Sequence, residues 1–239
     1  MEQANISKRL LTIFKNIGIY TIITHNMSYL DLDIDSENFI TFTPTNKVNE
    51  IKFKGGDIWE NHRNKMKIGR FLKEILYIDD SSIENLVNQY KTYFKIEMGR
   101  IDEIFDIVDG NEIWDCYQRK NYVFGGGSLN GSCMTDASKY KLTLYIKNPS
   151  KIKLLVIREG NKIAGRALMW ITNNGIYIDR PYCRYDKDLH LYSIYAEKMK
   201  FGHYYKNRNE PKTVKFKKIP SDMPYLDTFK TIDKKTLRI

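Results

Sequence analysis

LLVIREGNKIAGRALMWITNNGIYIDRPYC, residues 154–183, is the stretch that decides the fold. It holds three apolar runs rich in β-branched and aromatic residues: LLVI (154–157), IAGRALMWI (163–171) and IYIDRPYC (176–183). Glu-Gly-Asn and Thr-Asn-Asn-Gly separate them, and Gly and Asn are the residues that turn a hairpin without steric penalty. The stretch therefore predicts a three-stranded antiparallel meander. Side chains alternate along a strand, so Ile163, Gly165, Ala167 and Met169 share one face of the middle run, and Ala164, Arg166, Leu168 and Trp170 the other. An arginine on such a face either reaches solvent or serves a site.

C-terminal to the meander, Arg184 to Asp188 read as a polar turn, and LHLYSIYAEKMKFG (189–202) as a helix with Leu191, Ile194, Tyr195 and Met199 inward, stopped by Gly202. HYYK, TVKFKKI (213–219) and MPYLDTFKTI (223–232) read as further strands. N-terminal to the meander, IFDIV (104–108) is a strand and EIWDCYQRKNYV a helix. The glycine-rich FGGGSLNGSCMTD (124–136) follows, then SKYKLTLYIKNPSK as a helix with Tyr140, Leu144 and Tyr145 inward. Four glycines in eight residues are expected where the chain turns sharply or approaches something closely.

Residues 1–100 read as a separate α+β region. It begins with a helix over 7–17 capped by Ser7, followed by strands at 19–24 and 38–44. A helix runs from Met66 to Leu76, and a second follows the cap-forming Asp79-Asp80-Ser81-Ser82. The expected fold class is α+β, a mixed, mostly antiparallel sheet with flanking helices, divided into 1–100 and 101–239. Asp31, Asp33 and Asp35 resemble part of a calcium loop but lack its glycine and its closing glutamate, so a solvated turn or strand face is the expectation and no metal site is assigned.

The 239 residues carry a net charge of +10, with 42% hydrophobic and 13% aromatic residues, the composition of a globular chain. No run is long and apolar enough to span a bilayer, and Glu2, Lys8, Arg9 and Lys15 break up any secretory signal, so no membrane partner and a cytoplasmic location are expected. Cys116, Cys133 and Cys183, an odd number without metal-ligand spacing, fit free thiols. From Lys198 onward there are twelve Lys and Arg against four Asp and Glu. Such a concentration implies an anionic partner, nucleic acid or an acidic protein, or else a solvated surface. The expected phosphate contacts are Lys206, Arg208, Lys212, Lys215, Lys217 and Lys218, with Arg63, Lys65, Lys67 and Arg70 in a second basic stretch.

Two further constellations carry chemistry. Cys133, after the glycine loop and near an expected helix start, is either a structural thiol or a nucleophile with His190 as its base. Arg166, Asp179 and Arg180 on neighbouring strands form either a cross-strand ion pair or an anion grip, which with Gly126, Gly127 and Ser128 would line one ligand cleft.

The order from residue 104 onward is strand, helix, glycine loop, helix, three antiparallel strands, helix, strand, strand. It resembles the GNAT superfamily of acyl-CoA-dependent N-acetyltransferases: GNKIAGRALMWI is similar to the strands that open that family's sheet, and IYIDRPYC to its fourth strand. The resemblance implies a GNAT-like C-terminal domain. The family's glycine-bearing pyrophosphate loop would fall at RYDKDLHL (184–191), which has two aspartates and no glycine, so no cofactor is expected. GSLNGSCM, YIKNPSKIKLLVI, IAGRALMW, IDRPYC and PYLDTF together are similar to a loose set of uncharacterised phage and large-virus proteins, which implies a viral source and a place in the host cytoplasm or virion. The expectation is a non-catalytic viral or phage accessory or virion-associated protein that binds nucleic acid or an acidic partner through its basic segments. The alternatives are a divergent acyltransferase or Cys133-dependent transferase, and a structural virion component.

Overall fold

The computed structural model describes residues 5–60, 63–206, 212–221 and 223–238. Its backbone contacts separate two units, 1–100 and 101–239.

In the first unit, helix α1 (Lys8–Asn16) is capped by the Ser7 hydroxyl, which accepts from the Leu10 N–H, and it buries Leu10, Ile13 and Phe14. Strands β1 (Met27–Leu32) and β2 (Phe39–Pro44) are joined antiparallel, helix α2 (Thr45–Phe53) follows, and β3 (Asn64–Lys67) pairs with the far side of β2. Helix α3 (Ile68–Ile75) leads to α4 (Asp80–Glu97), whose first turn is closed by the Asp79 carboxylate accepting from Ser82 N at 2.9 Å. Phe14, Phe71 and Tyr90 meet at the centre, with ring centroids 5.8 and 6.2 Å from Phe14. Two expectations shift here. Residues 19–24 form no strand, although Ile19 and Ile22 are buried; the strand is β1, eight residues further on. Met66 and Lys67 pair with Ile40 and Phe39 in the sheet, and the helix begins only at Ile68.

The second unit opens with β4 (Phe105–Val108), followed by the short helices α5 (Glu112–Asp115), α6 (Ser128–Gly131) and α7 (Thr143–Ile146). The meander is β5 (Ile152–Glu159), β6 (Lys162–Thr172) and β7 (Gly175–Ile178), antiparallel throughout. Gly160 and Gly175 make its turns at φ of +56° and +95°, a region closed to most side chains. A two-residue strand β8 (Tyr182–Cys183) returns to β6, helix α8 (Leu189–Lys198) crosses over, and β9 (Gly202–His203) lies parallel to β7. The sheet order is β4-β5-β6-β7-β9. The architecture is α+β, with antiparallel-dominant sheets and flanking helices.

Both faces of this sheet are covered. Leu154, Val156, Trp170 and Tyr177 pack with Ile113, Leu129 and Leu144 of the short helices in one core. On the other face, Phe105 meets Tyr192 and Tyr195 of α8 at 5.0 and 4.7 Å between centroids. Strand β10 (Thr213–Lys215) does not extend the main sheet; with β11 (Lys230–Asp233) and β12 (Thr236–Arg238) it makes a separate three-stranded sheet in the order β10-β12-β11. The helices expected over 112–123 and 138–151 shrink to α5 and α7, and Tyr140 is exposed. Met199, expected inward, is also exposed, while Tyr192 and Ala196 take the buried side of α8.

Candidate functional site

Arg166 stands in the middle of β6, opposite Val156 on β5 and Tyr182 on β8. A strand covered on both faces offers its side chains no route to water, and the residue is only 2% exposed. Three tyrosines surround its guanidinium: Tyr117 lies 3.9 Å from Cζ to ring centroid, Tyr182 5.2 Å and Tyr122 6.0 Å. Burial pushes the Tyr117 phenol up to about 12, so it remains neutral and supplies a π face rather than a charge.

The expected ion pair to Asp179 is not made. Asp179 Oδ2 accepts from Trp170 Nε1 at 3.0 Å, while Oδ1 accepts from the Arg180 N–H at 2.8 Å and from the Thr228 hydroxyl. Burial pushes its pKa up to about 6 in spite of these bonds. Arg180 turns outward, half-exposed, its Nη1 3.6 Å from Asp227 Oδ1. The Tyr182 hydroxyl donates to Asp227 Oδ2 at 2.7 Å. Arg166, Asp179, Arg180, Tyr182 and Asp227 thus line one narrow pocket with Tyr117, Ser132 and Tyr225; its enclosed volume is about 20 Å³, room for a single water.

The glycine loop does not complete a ligand cradle. Gly127 N–H donates to Arg184 O at 2.7 Å, and a Cβ at Gly127 would stand 2.5 Å from that same oxygen. Ser128 is likewise engaged: its N–H donates to Asp186 Oδ1 at 3.1 Å and its Oγ accepts from Cys183 N at 3.2 Å. The glycines let this loop press against the backbone after β8; a Cβ at Gly126 would meet open space. Cys133 is exposed and lies beyond the C-terminal end of α6, ten residues before α7, so it stands at no helix start. His190 is in the first turn of α8, its Nδ1 against Lys187 O. Burial pushes the Cys116 thiol up to about 11 and raises that of Cys183, which keeps both protonated. Among the described residues no group of His, Cys, Asp and Glu is arranged to hold a metal ion.

The basic residues separate into three sets. Arg63 is turned into the first unit's sheet, donating from Nε to Thr41 Oγ1 at 2.9 Å and from Nη2 to Thr41 O at 3.1 Å. Lys65 pairs with the buried Asp33 at 2.9 Å, Lys206 with Glu197 at 3.4 Å, and Lys212 is buried over the Tyr177 ring at 5.4 Å. Lys67 and Arg70 are exposed; Arg208 lies outside the described residues.

The third set is different. Lys215 and Lys217 alternate with the buried Val214 and Phe216, and the exposed Lys218 follows them. They meet Lys147 and Lys151, which flank the Asn148-Pro149 turn after α7. These five lysines line a cleft of about 470 Å³ with Asn148 and Ser150, and no carboxylate is in its lining. None of the five makes an ion pair among the described residues. Asp233 lines the adjoining hollow of about 930 Å³ together with Lys147 and Lys218. Lys147 and Lys151 escape a sequence reading that looks for charge runs, since they join the cluster only through the fold.

Compared with known proteins, the chain matches no family model, none of the curated proteins and no solved structure. Among the described residues, no helix is long and apolar enough to cross a membrane.

Proposed function

We propose that the C-terminal unit binds nucleic acid along its phosphate backbone, through Lys147, Lys151, Lys215, Lys217 and Lys218. The observation that carries this reading is a concave surface to which two separate segments bring five lysines and no acid. Five like charges with Asp233 as their nearby counter-charge still repel one another, and a polyanion relieves that repulsion while releasing its own condensed counterions. Flexible ammonium groups recognise phosphate as point charges, so the contact positions a strand without reading its sequence. The protein acts in this reading as a non-catalytic accessory factor of viral or phage origin, and an acidic protein surface is the competing occupant.

The unit's sheet is read as a GNAT-like sheet kept for this different task. Its support is the strand order, in which an antiparallel β4-β5-β6-β7 is followed by α8 and a parallel β9. The segment between β8 and α8, where that family holds a pyrophosphate, has Arg184 paired with Glu159 and Asp186 accepting from Ser128 N. Asp188 adds a second carboxylate there. An acidic loop whose polar groups are already engaged is the wrong partner for a polyphosphate.

The test is binding of labelled single-stranded and double-stranded DNA and of RNA at moderate salt, with wild type and with Lys215→Gln/Lys217→Gln/Lys218→Gln. These side chains are exposed, so the variant folds as the wild type does. Its affinity should fall at least tenfold for every nucleic acid. Equal binding by the two proteins, or capture of an acidic protein partner with no nucleic-acid binding, would overturn the proposal.

A further inference from the structure

We propose that the pocket at the centre of the same sheet is a second binding site, for the carboxylate head of a small molecule gripped by the free edge of Arg166. An arginine keeps its charge at any physiological pH. Here that charge sits on a residue 2% exposed, with one face of the guanidinium against Tyr117 at 3.9 Å. Stacking uses the face and leaves the edges. Nε and Nη2, which present two parallel N–H bonds along one edge, have no hydrogen-bond partner. That edge is the one with which arginine engages both oxygens of a carboxylate.

The pocket's own acids do not meet it. Asp179 is held by Trp170, Thr228 and the Arg180 N–H, and Asp227 by Tyr182 and Arg180. Buried donors that carry charge and lack a partner are strongly disfavoured, so the site gains most from an anion of the right shape. One neighbouring group extends the reception. Ser132, 8% exposed, accepts from Met134 N and keeps its own hydroxyl hydrogen to donate into the pocket.

Size and charge narrow the ligand. The space of about 20 Å³ admits one water, so a carboxylate head enters only as the exposed side chains Arg180 and Tyr225 move aside, and no whole cofactor fits. A planar monoanion matches the fork and suffers less from Asp179 and Asp227 than a phosphate dianion does. The rest of the molecule would leave between Arg180 and Tyr225, which line the pocket's rim and are both exposed to solvent.

Thermal unfolding of the full-length protein at constant ionic strength tests this, with sodium formate, sodium acetate, sodium phosphate or sodium chloride as the varied salt. Formate or acetate should raise the melting temperature by about 2–4 °C over chloride. The rise should vanish in Arg166→Met, which removes the charge, and in Arg166→Lys, which keeps the charge without the fork. Arg166→Lys preserves the assay if the methionine variant does not fold. A response equal to that in chloride, one given by phosphate alone, or one that survives Arg166→Lys would each overturn the proposal.

Discussion

Asp179 and Arg166 are neighbours of opposite sign that do not pair, and their environments set measurable properties. The Asp179 carboxyl is pushed up to about 6 by burial, from an ordinary value of 3.8. Its folded-state pKa is therefore above the unfolded one, so the folded protein binds the extra proton between the two values and stability falls as pH rises through that window. A difference of this size corresponds to about 3 kcal/mol. Denaturant unfolding of wild type and Asp179→Asn across pH 4 to 7 should show the wild type losing stability relative to the variant by that order, with the change confined to roughly pH 4–6; parallel curves would refute the assignment. Gly127 offers a second check. A Cβ there stands 2.5 and 2.6 Å from the backbone oxygens of Arg184 and Cys183, so Gly127→Ala should destabilise by about 1–3 kcal/mol in chemical denaturation. Gly126→Ala, entering open space, should cost well under that. The sequence shows that Arg166 interrupts an apolar face but not where it goes, because that depends on Tyr117 and Tyr122 in the connection after α5 and on Tyr182 of β8, which reach it from two distant segments.

Elements were legible where local chemistry decides them. The meander follows from β-branched runs punctuated by glycine turns, and α4 from the Asp79 cap ahead of an amphipathic stripe. The region 109–151 was not legible, because remote side-chain bonds hold it rather than helical periodicity. Gln118 Nε2 donates to Ala137 O at 3.1 Å, and Asp136 Oδ1 accepts from Arg119 N at 2.8 Å. The same logic separates the glycine loop's appearance from its role: its amide at Gly127 is spent on Arg184 O. For the segment 184–188 the acidic side chains decide. Millimolar acetyl-CoA should leave the melting temperature unchanged, as expected of a loop that repels a pyrophosphate; a rise of several degrees would show a bound cofactor and revive the acyltransferase reading.

At the scale of the whole chain, a net charge of +10 says only that an anionic partner is favoured. The fold sorts the charges that produce it. Arg63, Lys65, Lys206 and Lys212 are drawn into packing or ion pairs, whereas Lys147, Lys151, Lys215, Lys217 and Lys218 are gathered on one concave surface. The proposal that this cluster is an interface rather than a solvated basic surface makes a quantitative demand. Each lysine that neutralises a phosphate adds about 0.9 to the slope of log affinity against log salt on duplex DNA. The most direct measurement is that slope, from titrations of a labelled duplex at four or more salt concentrations. Five contacts give a slope of about −4 to −5 for the wild type, and Lys215→Gln/Lys217→Gln/Lys218→Gln should reduce its magnitude by about 3. A flat salt dependence, or an identical slope in the two proteins, would contradict the assignment of the lysine cleft as the nucleic-acid interface.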